Sequence, residues 1–194
     1  MDITSAQLKE LRDLTGISVM QCKKALEEAG GDMDKAKIIL QKKGGEIALK
    51  KSDRELGAGA IGSYIHATLE VAALVNLSCE TDFVSKNPEF VALAKDIAMH
   101  VAAQNPIYVH RSEVTEAVLN KAKEVFHEEV KDKPVEMQEK ILGGKLDAYF
   151  KDRILMEQPF IKDDSKTIGD LVSNAIQKFG ENVVISAITR MSVK

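Results

Sequence analysis

The apolar residues of this chain first leave helical spacing at Ala60, and that change limits the folds open to it. Before it they recur at helical spacing. After it they first alternate as in a strand, then return to helical stripes. Thr4 with Gln7 has the form of a capping box, followed by Leu8, Leu11 and Leu14 at helical spacing. Thr15-Gly16 breaks that helix, and Ser18 with Gln21 opens a second. Cys22, Ala25, Leu26 and Ala29 then occupy one helical face, which Gly30-Gly31 ends in the manner of a left-handed cap. Asp32 caps a third helix with Met33, Ala36 and Leu40 inward, and Gly44-Gly45 is expected to end it. Residues 1–45 therefore read as a three-helix bundle. Its inner residues are small, so the helices must pack closely, and a bundle of this size is marginal alone. Residues 46–56 are mostly charged and read as a linker.

Residues 57–194 read as a second, larger unit. Ile61, Ser63 and Ile65 fall on one face of a strand, and Gly62, Tyr64 and His66 on the other. Val71 to Cys79 is nearly all apolar and suits a central strand. The intervening Ala67-Thr68-Leu69-Glu70 lacks the usual Gly or Asn of a hairpin. Pro88 suits a first helical turn, and Phe90, Leu93, Ala94, Ile97, Ala98 and Val101 form the stripe behind it, until Asn105-Pro106. Polar helices are expected over 113–130 and 134–142, divided near Lys133-Pro134. After Gly143-Gly144, Leu146 to Leu155 is expected to form another. Thr167 with Asp170 caps a last helix whose stripe runs from Ile168 to Phe179. Gly180-Glu181-Asn182 then turns into a strand in which Val183, Ile185, Ala187 and Met191 alternate. The fold class is α+β: a three-helix, ubiquitin-associated-like bundle followed by an antiparallel sheet covered by helices.

Bulk composition narrows function. The 194 residues carry a net charge of −3, against the basic excess of a duplex-binding protein. Cys22 and Cys79 are the two cysteines; they have no C-x-x-C spacing and read as core. No signal peptide or membrane-length apolar run is visible, so a cytoplasmic location is expected, or an organelle matrix if a transit peptide was removed. Gly57-Ala58-Gly59-Ala60-Ile61-Gly62 matches a dinucleotide motif in letters only, because a charged linker precedes it and a strand follows. Gly143-Gly144-Lys145 lacks the Ser or Thr of a phosphate loop. His66, His100, His110 and His127 share no metal-ligand spacing, and His100 reads as a boundary residue of its helix. No cofactor, metal or nucleophile–base pair is assigned, so the chain does not read as an enzyme.

One segment resists a bland account. Cys79 to Pro88 joins the most apolar strand to the most amphipathic helix, and a loop so held is rigid at the sheet's edge. Two readings are open. Asp82 or Ser85 caps the helix while Phe83 folds into the core, or Phe83 points outward beside Asp82 as an anchor for a partner's pocket.

Asn76-Leu77-Ser78-Cys79-Glu80 followed by Thr81-Asp82-Phe83-Val84 resembles the core signature of bacterial elongation factor Ts. Leu11 to Gly16, Met20 to Leu26 and Gly31-Asp32 resemble that family's N-terminal signature. Gly144-Lys145-Leu146, Tyr149-Phe150 and Glu157 to Phe160 resemble its C-terminal part. The resemblance spans essentially the whole chain, whose length suits the family's short forms. Ser18 and Gln21 stand where the family usually has glycine and aspartate, and Val19 where it has methionine. Ala67 to Glu70 lack the family's hairpin glycine.

The resemblance implies a guanine-nucleotide exchange factor of translation elongation. Such a factor binds elongation factor Tu in its GDP form and speeds GDP release. Thr81, Asp82, Phe83 and Val84 would be the segment that dislodges magnesium. Lys9, Arg12 and Met20 of the bundle would contact the nucleotide domain, and the C-terminal half another domain. It also implies a homodimer, or two factors with two GTPases, as associations open to the chain, with the Val183 to Val193 strand as an available edge. The rival is a non-catalytic adaptor working through its ubiquitin-associated-like bundle.

Overall fold

The computed structural model describes residues 3–131 and 134–193. Lys133, at the expected break between the polar helices, lies outside the described residues.

The bundle consists of α1 (Ser5–Thr15), α2 (Val19–Glu28) and α3 (Met33–Lys51). The Thr4–Gln7 capping box forms with both of its bonds, and Gly16 closes α1 at φ 67°. Ser18 caps α2, and Gly30 and Gly31 end it, both at positive φ. Leu11, Ile17, Cys22, Ala25, Leu26, Ala36 and Leu40 form a buried core. Leu14, expected inward, is exposed. α1 ends one residue after it, and Ile17 from the connection fills the core instead.

Gly44-Gly45 does not end α3, which continues to Lys51. The buried stripe Ala36, Leu40, Gly44 runs on into Ile47 and Ala48, which pack against the second core. Gly44 is there for proximity. A Cβ at Gly44 would sit 3.3 Å from the Ser173 carbonyl oxygen and 3.4 Å from Gln177 Oε1. The segment read as a linker is thus helix through Lys51, and one helix belongs to both cores.

The larger unit has a three-stranded antiparallel sheet in the order β1 (Ala58–Ile65), β2 (Val71–Cys79), β5 (Val183–Ser192). Between β2 and β5 run α4 (Asp82–Ser85), α5 (Pro88–Gln104), α6 (Glu116–Val130) and α7 (Val135–Lys151). A short ribbon, β3 (Pro159–Phe160) and β4 (Asp163–Thr167), precedes α8 (Ile168–Phe179). α5 and α8 cover one face of the sheet. Phe90, Ala94, Ile97 and Val101 of α5 meet Val75, Leu77 and Cys79 of β2, with Val172 and Ile176 of α8 alongside. α6 and α7 pair around Ala122, Leu146 and Phe150. The architecture is α+β, as expected. Among the described residues, no helix is long and apolar enough to cross a membrane.

Three further local features differ from the sequence expectations, and the hairpin closes without the usual turn residues. α7 runs unbroken through Gly143 and Gly144. Nothing in the structure explains these glycines, which lie in open space and each cost the helix about 1 kcal/mol relative to alanine. In β5 the register slips between the Leu77–Ile185 and Asn76–Ala187 pairs, leaving Ser186 extra. The bulge reverses the facing of the residues after it, so Ala187 and Met191 face solvent and Ile188 turns toward the core. His100 is fully buried rather than a boundary residue. The Ile161 N–H donates to its Nδ1 at 3.3 Å, so Nε2 carries the proton and donates to Gln158 Oε1 at 2.9 Å. Burial holds this imidazole below its ordinary pKa. In the β1–β2 hairpin, His66 Nδ1 accepts the Thr68 N–H, and Leu69 takes the left-handed position at φ 60°.

Gly62 fixes the seat of α5 on β1. A Cβ there would lie 2.0 Å from the Ala94 carbonyl oxygen, which is backbone and cannot move aside. Gly62→Ala should therefore cost about 3 kcal/mol or more, read as a fall in the urea unfolding midpoint at unchanged slope. Leu69→Gly should instead raise stability by about 1 kcal/mol, since glycine adopts that φ without strain. A loss of stability there would show that the turn is not strained.

Candidate partner-binding site

β2 carries the chain to Cys79 along the core face, and α5 begins at Pro88 under an Asn87 cap. The eight intervening residues would be a loop if no local bonds organised them. Instead, Thr81 is extended at φ −126° and caps α4, its hydroxyl accepting the Val84 N–H at 3.5 Å. The Ser85 N–H donates to the Thr81 carbonyl at 3.2 Å, and the Asn87 N–H to the Val84 carbonyl at 3.0 Å. The Cys79 thiol donates to the Thr81 carbonyl at 3.2 Å. The segment is a single helical turn clamped at both ends.

A helical turn sends consecutive side chains about 100° apart, so one turn can hold Asp82 and Phe83 toward solvent and Val84 and Ser85 toward the core. Val84 is 4% exposed and joins the main core. Phe83 is 82% exposed, the most open of the large apolar side chains described. Of the two readings of this segment, the outward ring is the one the structure has. Neither Asp82 nor Ser85 caps α5. Asp82 is exposed and meets Lys86 at 2.7 Å; the hydrogen bond to Lys86 and its charge hold the carboxyl below its usual range. Such exposed pairs are screened by water and salt, contribute little to stability and exchange partners readily.

The four residues singled out in this segment therefore stand differently. Phe83 and Asp82 project to solvent. Val84 anchors the turn from below, and the Thr81 hydroxyl, at the surface, is engaged by the Val84 amide and by Glu181.

Sequence reasoning missed the supports of this turn. Glu181 Oε2 accepts the N–H groups of Glu80 at 3.1 Å and Thr81 at 3.0 Å, and Oε1 accepts the Thr81 hydroxyl at 2.5 Å. Glu80 Oε1 accepts the Asn182 N–H at 2.6 Å, and Arg54 binds both Glu80 oxygens at 3.2 and 3.0 Å. The Asn182 bond, then Arg54, lowers the Glu80 pKa. Gly180-Glu181-Asn182 carries only a turn signal in the sequence. Its carboxylate acquires meaning from the β2–β5 register, which brings Val183 opposite Cys79.

On the bundle, Lys9, Arg12 and Met20 are all exposed. Arg12 borders a cleft of 780 Å³ whose far wall includes Asn87 and Glu89, just beyond the exposed turn. Lys178 and Glu89 form an ion pair in that cleft. Lys9 and Met20 do not line it, so the structure brings Arg12 toward the turn and leaves the other two on the bundle's outer surface. Among the described residues, no group of three or more His, Cys, Asp or Glu is placed to hold a metal ion.

A rigid aromatic projection beside a second exposed surface suits a protein that works on another protein. Comparison with known families gives the class. The family model described as "Elongation factor TS" matches residues 4–194. Proteins named Elongation factor Ts align over nearly their full lengths. That of Thermodesulfovibrio yellowstonii is 46% identical over 194 residues, covering 100% of this chain and 97% of its own. That of Thermotoga petrophila is 45% identical over 193 residues, with 100% and 97% covered. That of Geotalea uraniireducens is 45% identical over 195 residues, with 100% and 90% covered. The chain is thus a translation elongation factor by class. It belongs to the elongation factor Ts family.

The opposite facing of Phe83 and Val84 separates surface from anchor. Phe83→Ala should change stability by no more than about 0.5 kcal/mol. Val84→Ala should cost about 2 kcal/mol, since it removes buried methyl groups from the main core. Comparing the two urea midpoints checks this; a larger loss at Phe83 would mean that the ring packs inward.

Proposed function

We propose that this protein binds elongation factor Tu in its GDP-bound form and promotes GDP release, with no chemical active site of its own. The observation that carries the reading is Phe83, 82% exposed on a turn fixed from both ends. An exposed phenyl ring gains nothing for the free fold. It gains on the order of 2 kcal/mol when a partner's pocket removes it from water.

Exchange requires more than affinity. Factor and nucleotide must weaken each other's binding by one shared coupling energy, so the factor must favour a GTPase conformation with a disturbed magnesium and phosphate site. Phe83 acts as the wedge that holds this conformation. Asp82, one residue away, brings a carboxylate toward the magnesium site, where local charge strongly affects ion and phosphate binding. Its surface pair with Lys86 is weak enough to yield. Val84 and Thr81 serve the same segment from within, as its anchor and its cap. Lys9, Arg12 and Met20 hold the nucleotide domain, and the C-terminal half grips another domain. Two contacts on one partner raise the wedge's effective concentration. The setting is the cytoplasm, where translation supplies the GTPase.

Assembly as a homodimer, or as two factors with two GTPases, has a surface available to it. The sheet face opposite α5 presents Ile61, Ile65, Leu74 and Met191 uncovered, and β5 is an edge strand. The adaptor reading draws less support. The bundle is seated on α8 through Gly44 and through Gln177, which donates to Gln21 Oε1 at 2.8 Å.

Release of a fluorescent GDP analogue from elongation factor Tu, with and without this protein, tests the proposal. The parent should accelerate release. Phe83→Ala should lose about 10- to 30-fold of that acceleration, the equivalent of its burial energy, while complex formation weakens less. A variant that stimulates release as well as the parent would sink the wedge.

A further inference from the structure

The β2–β5 ladder ends at Cys79 and Val183. Beyond that pair the strands separate, and the N–H groups of Glu80, Thr81 and Asn182 lose their cross-strand carbonyls. For half-buried Glu80 and buried Asn182 a bare amide is costly and needs an acceptor, whereas exposed Thr81 could turn to water. Two carboxylates accept from all three, reciprocally. Glu181 takes the amides of Glu80 and Thr81, and Glu80 takes the amide of Asn182. Each strand's acidic residue thus closes the other's frayed end.

The two halves of this clasp differ. Glu80 closes only the turn and binds Arg54. Glu181 also receives the Thr81 hydroxyl at 2.5 Å, and that same oxygen accepts the Val84 N–H. Donating to a carboxylate fixes the hydroxyl rotor and leaves its lone pair aimed at the Val84 amide. Two hydrogen bonds therefore run from Glu181 to the turn that carries Phe83. The neighbouring Gly180 carbonyl accepts from Lys51 in the last turn of α3.

We propose that Glu181 is the positioning residue of the Thr81–Val84 segment: its carboxylate fixes Thr81 and thereby the direction in which Phe83 is presented. The inference deepens the exchange reading and rests on it for its functional consequence. The bonds of Glu181 run to Glu80 and Thr81 of its own chain. Glu181 acts by lowering the conformational freedom that the segment would otherwise lose on binding. Its removal should reduce the maximal rate of release and leave binding, spread over the other contacts, little changed.

The test compares Glu181→Ala, Glu181→Gln, Thr81→Val and Phe83→Ala in the full chain, by two readouts. One is fluorescent GDP release from elongation factor Tu, resolved into the maximal rate and the half-saturating factor concentration. The other is amide hydrogen exchange of the free protein, which needs no GTPase. Glu181→Ala should lower the maximal rate about tenfold, on the scale of one lost charge-assisted hydrogen bond, with the half-saturating concentration moving less than about threefold. The amides of Thr81 and Val84 should exchange faster while those within α5 and β5 keep their protection. Glu181→Gln keeps a carbonyl acceptor and should recover most of the rate. Thr81→Val removes only the hydroxyl link and should reproduce the alanine phenotype in part, which keeps the test open if Glu181→Ala does not fold. Unchanged release with unchanged Thr81 and Val84 exchange would overturn the inference. So would protection lost evenly through α5 and β5, which would reduce Glu181 to general stability. If Phe83→Ala releases GDP like the parent, the wedge reading fails by itself, and the exchange of Thr81 and Val84 still decides whether Glu181 holds the segment.

Discussion

The seat of α5 against the sheet governs the rest of the larger unit. Gly62 lets the helix backbone at Ala94 reach β1 at a distance that no side chain allows. With α5 so close, Phe90, Ala94, Ile97 and Val101 reach β2 directly, and α8 can pack beside them. The start of α5 is then fixed relative to the end of β2. The short span between them has room for one turn of helix and little else. Presentation of Phe83 is a consequence of that spacing.

A large apolar side chain held in water contributes nothing to the free fold, and its neighbours show how the fold tolerates it. Val84 below it is buried, and the amides around it find acceptors in Glu181, in Glu80 and within the turn itself. The exposed ring is an isolated departure within a region whose polar groups are otherwise satisfied. Functional sites are where local rules are expected to be broken, with compensation nearby.

Much of this was legible from the chain alone, because caps and stripes are local signals. Thr4, Ser18, Asp32 and Thr167 cap helices as their spacing suggests, and Pro88 opens α5. Glycine pairs misled because two different causes share one letter. Gly30-Gly31 supplies left-handed backbone, whereas Gly44 supplies proximity to α8 inside a helix that continues. The continuing stripe from Leu40 through Gly44 to Ile47 carried the better signal. The facing of Ala187 and Met191 depended on a bulge, and the burial of His100 on Gln158 and Ile161, distant in sequence. At the candidate site, the motif and its position were readable. The direction of Phe83 and the bonds of Glu181 were not, since the first depends on how α5 meets β2 and the second on how β2 and β5 align.

The continuity of α3 has a mechanical consequence. One helix is rooted in the larger core at Ile47 and Ala48 and holds the small bundle at its other end. From Gly44 back to Met33 is about 17 Å at 1.5 Å per residue, so a tilt of about 10° at the root would sweep the far end through about 3 Å. Loops dissipate such a rotation, but a rod transmits it. The bundle's outer surface and the exposed ring are thereby kept in a fixed geometric relation, like two jaws of a caliper whose gap is set at a single notch where helix meets helix.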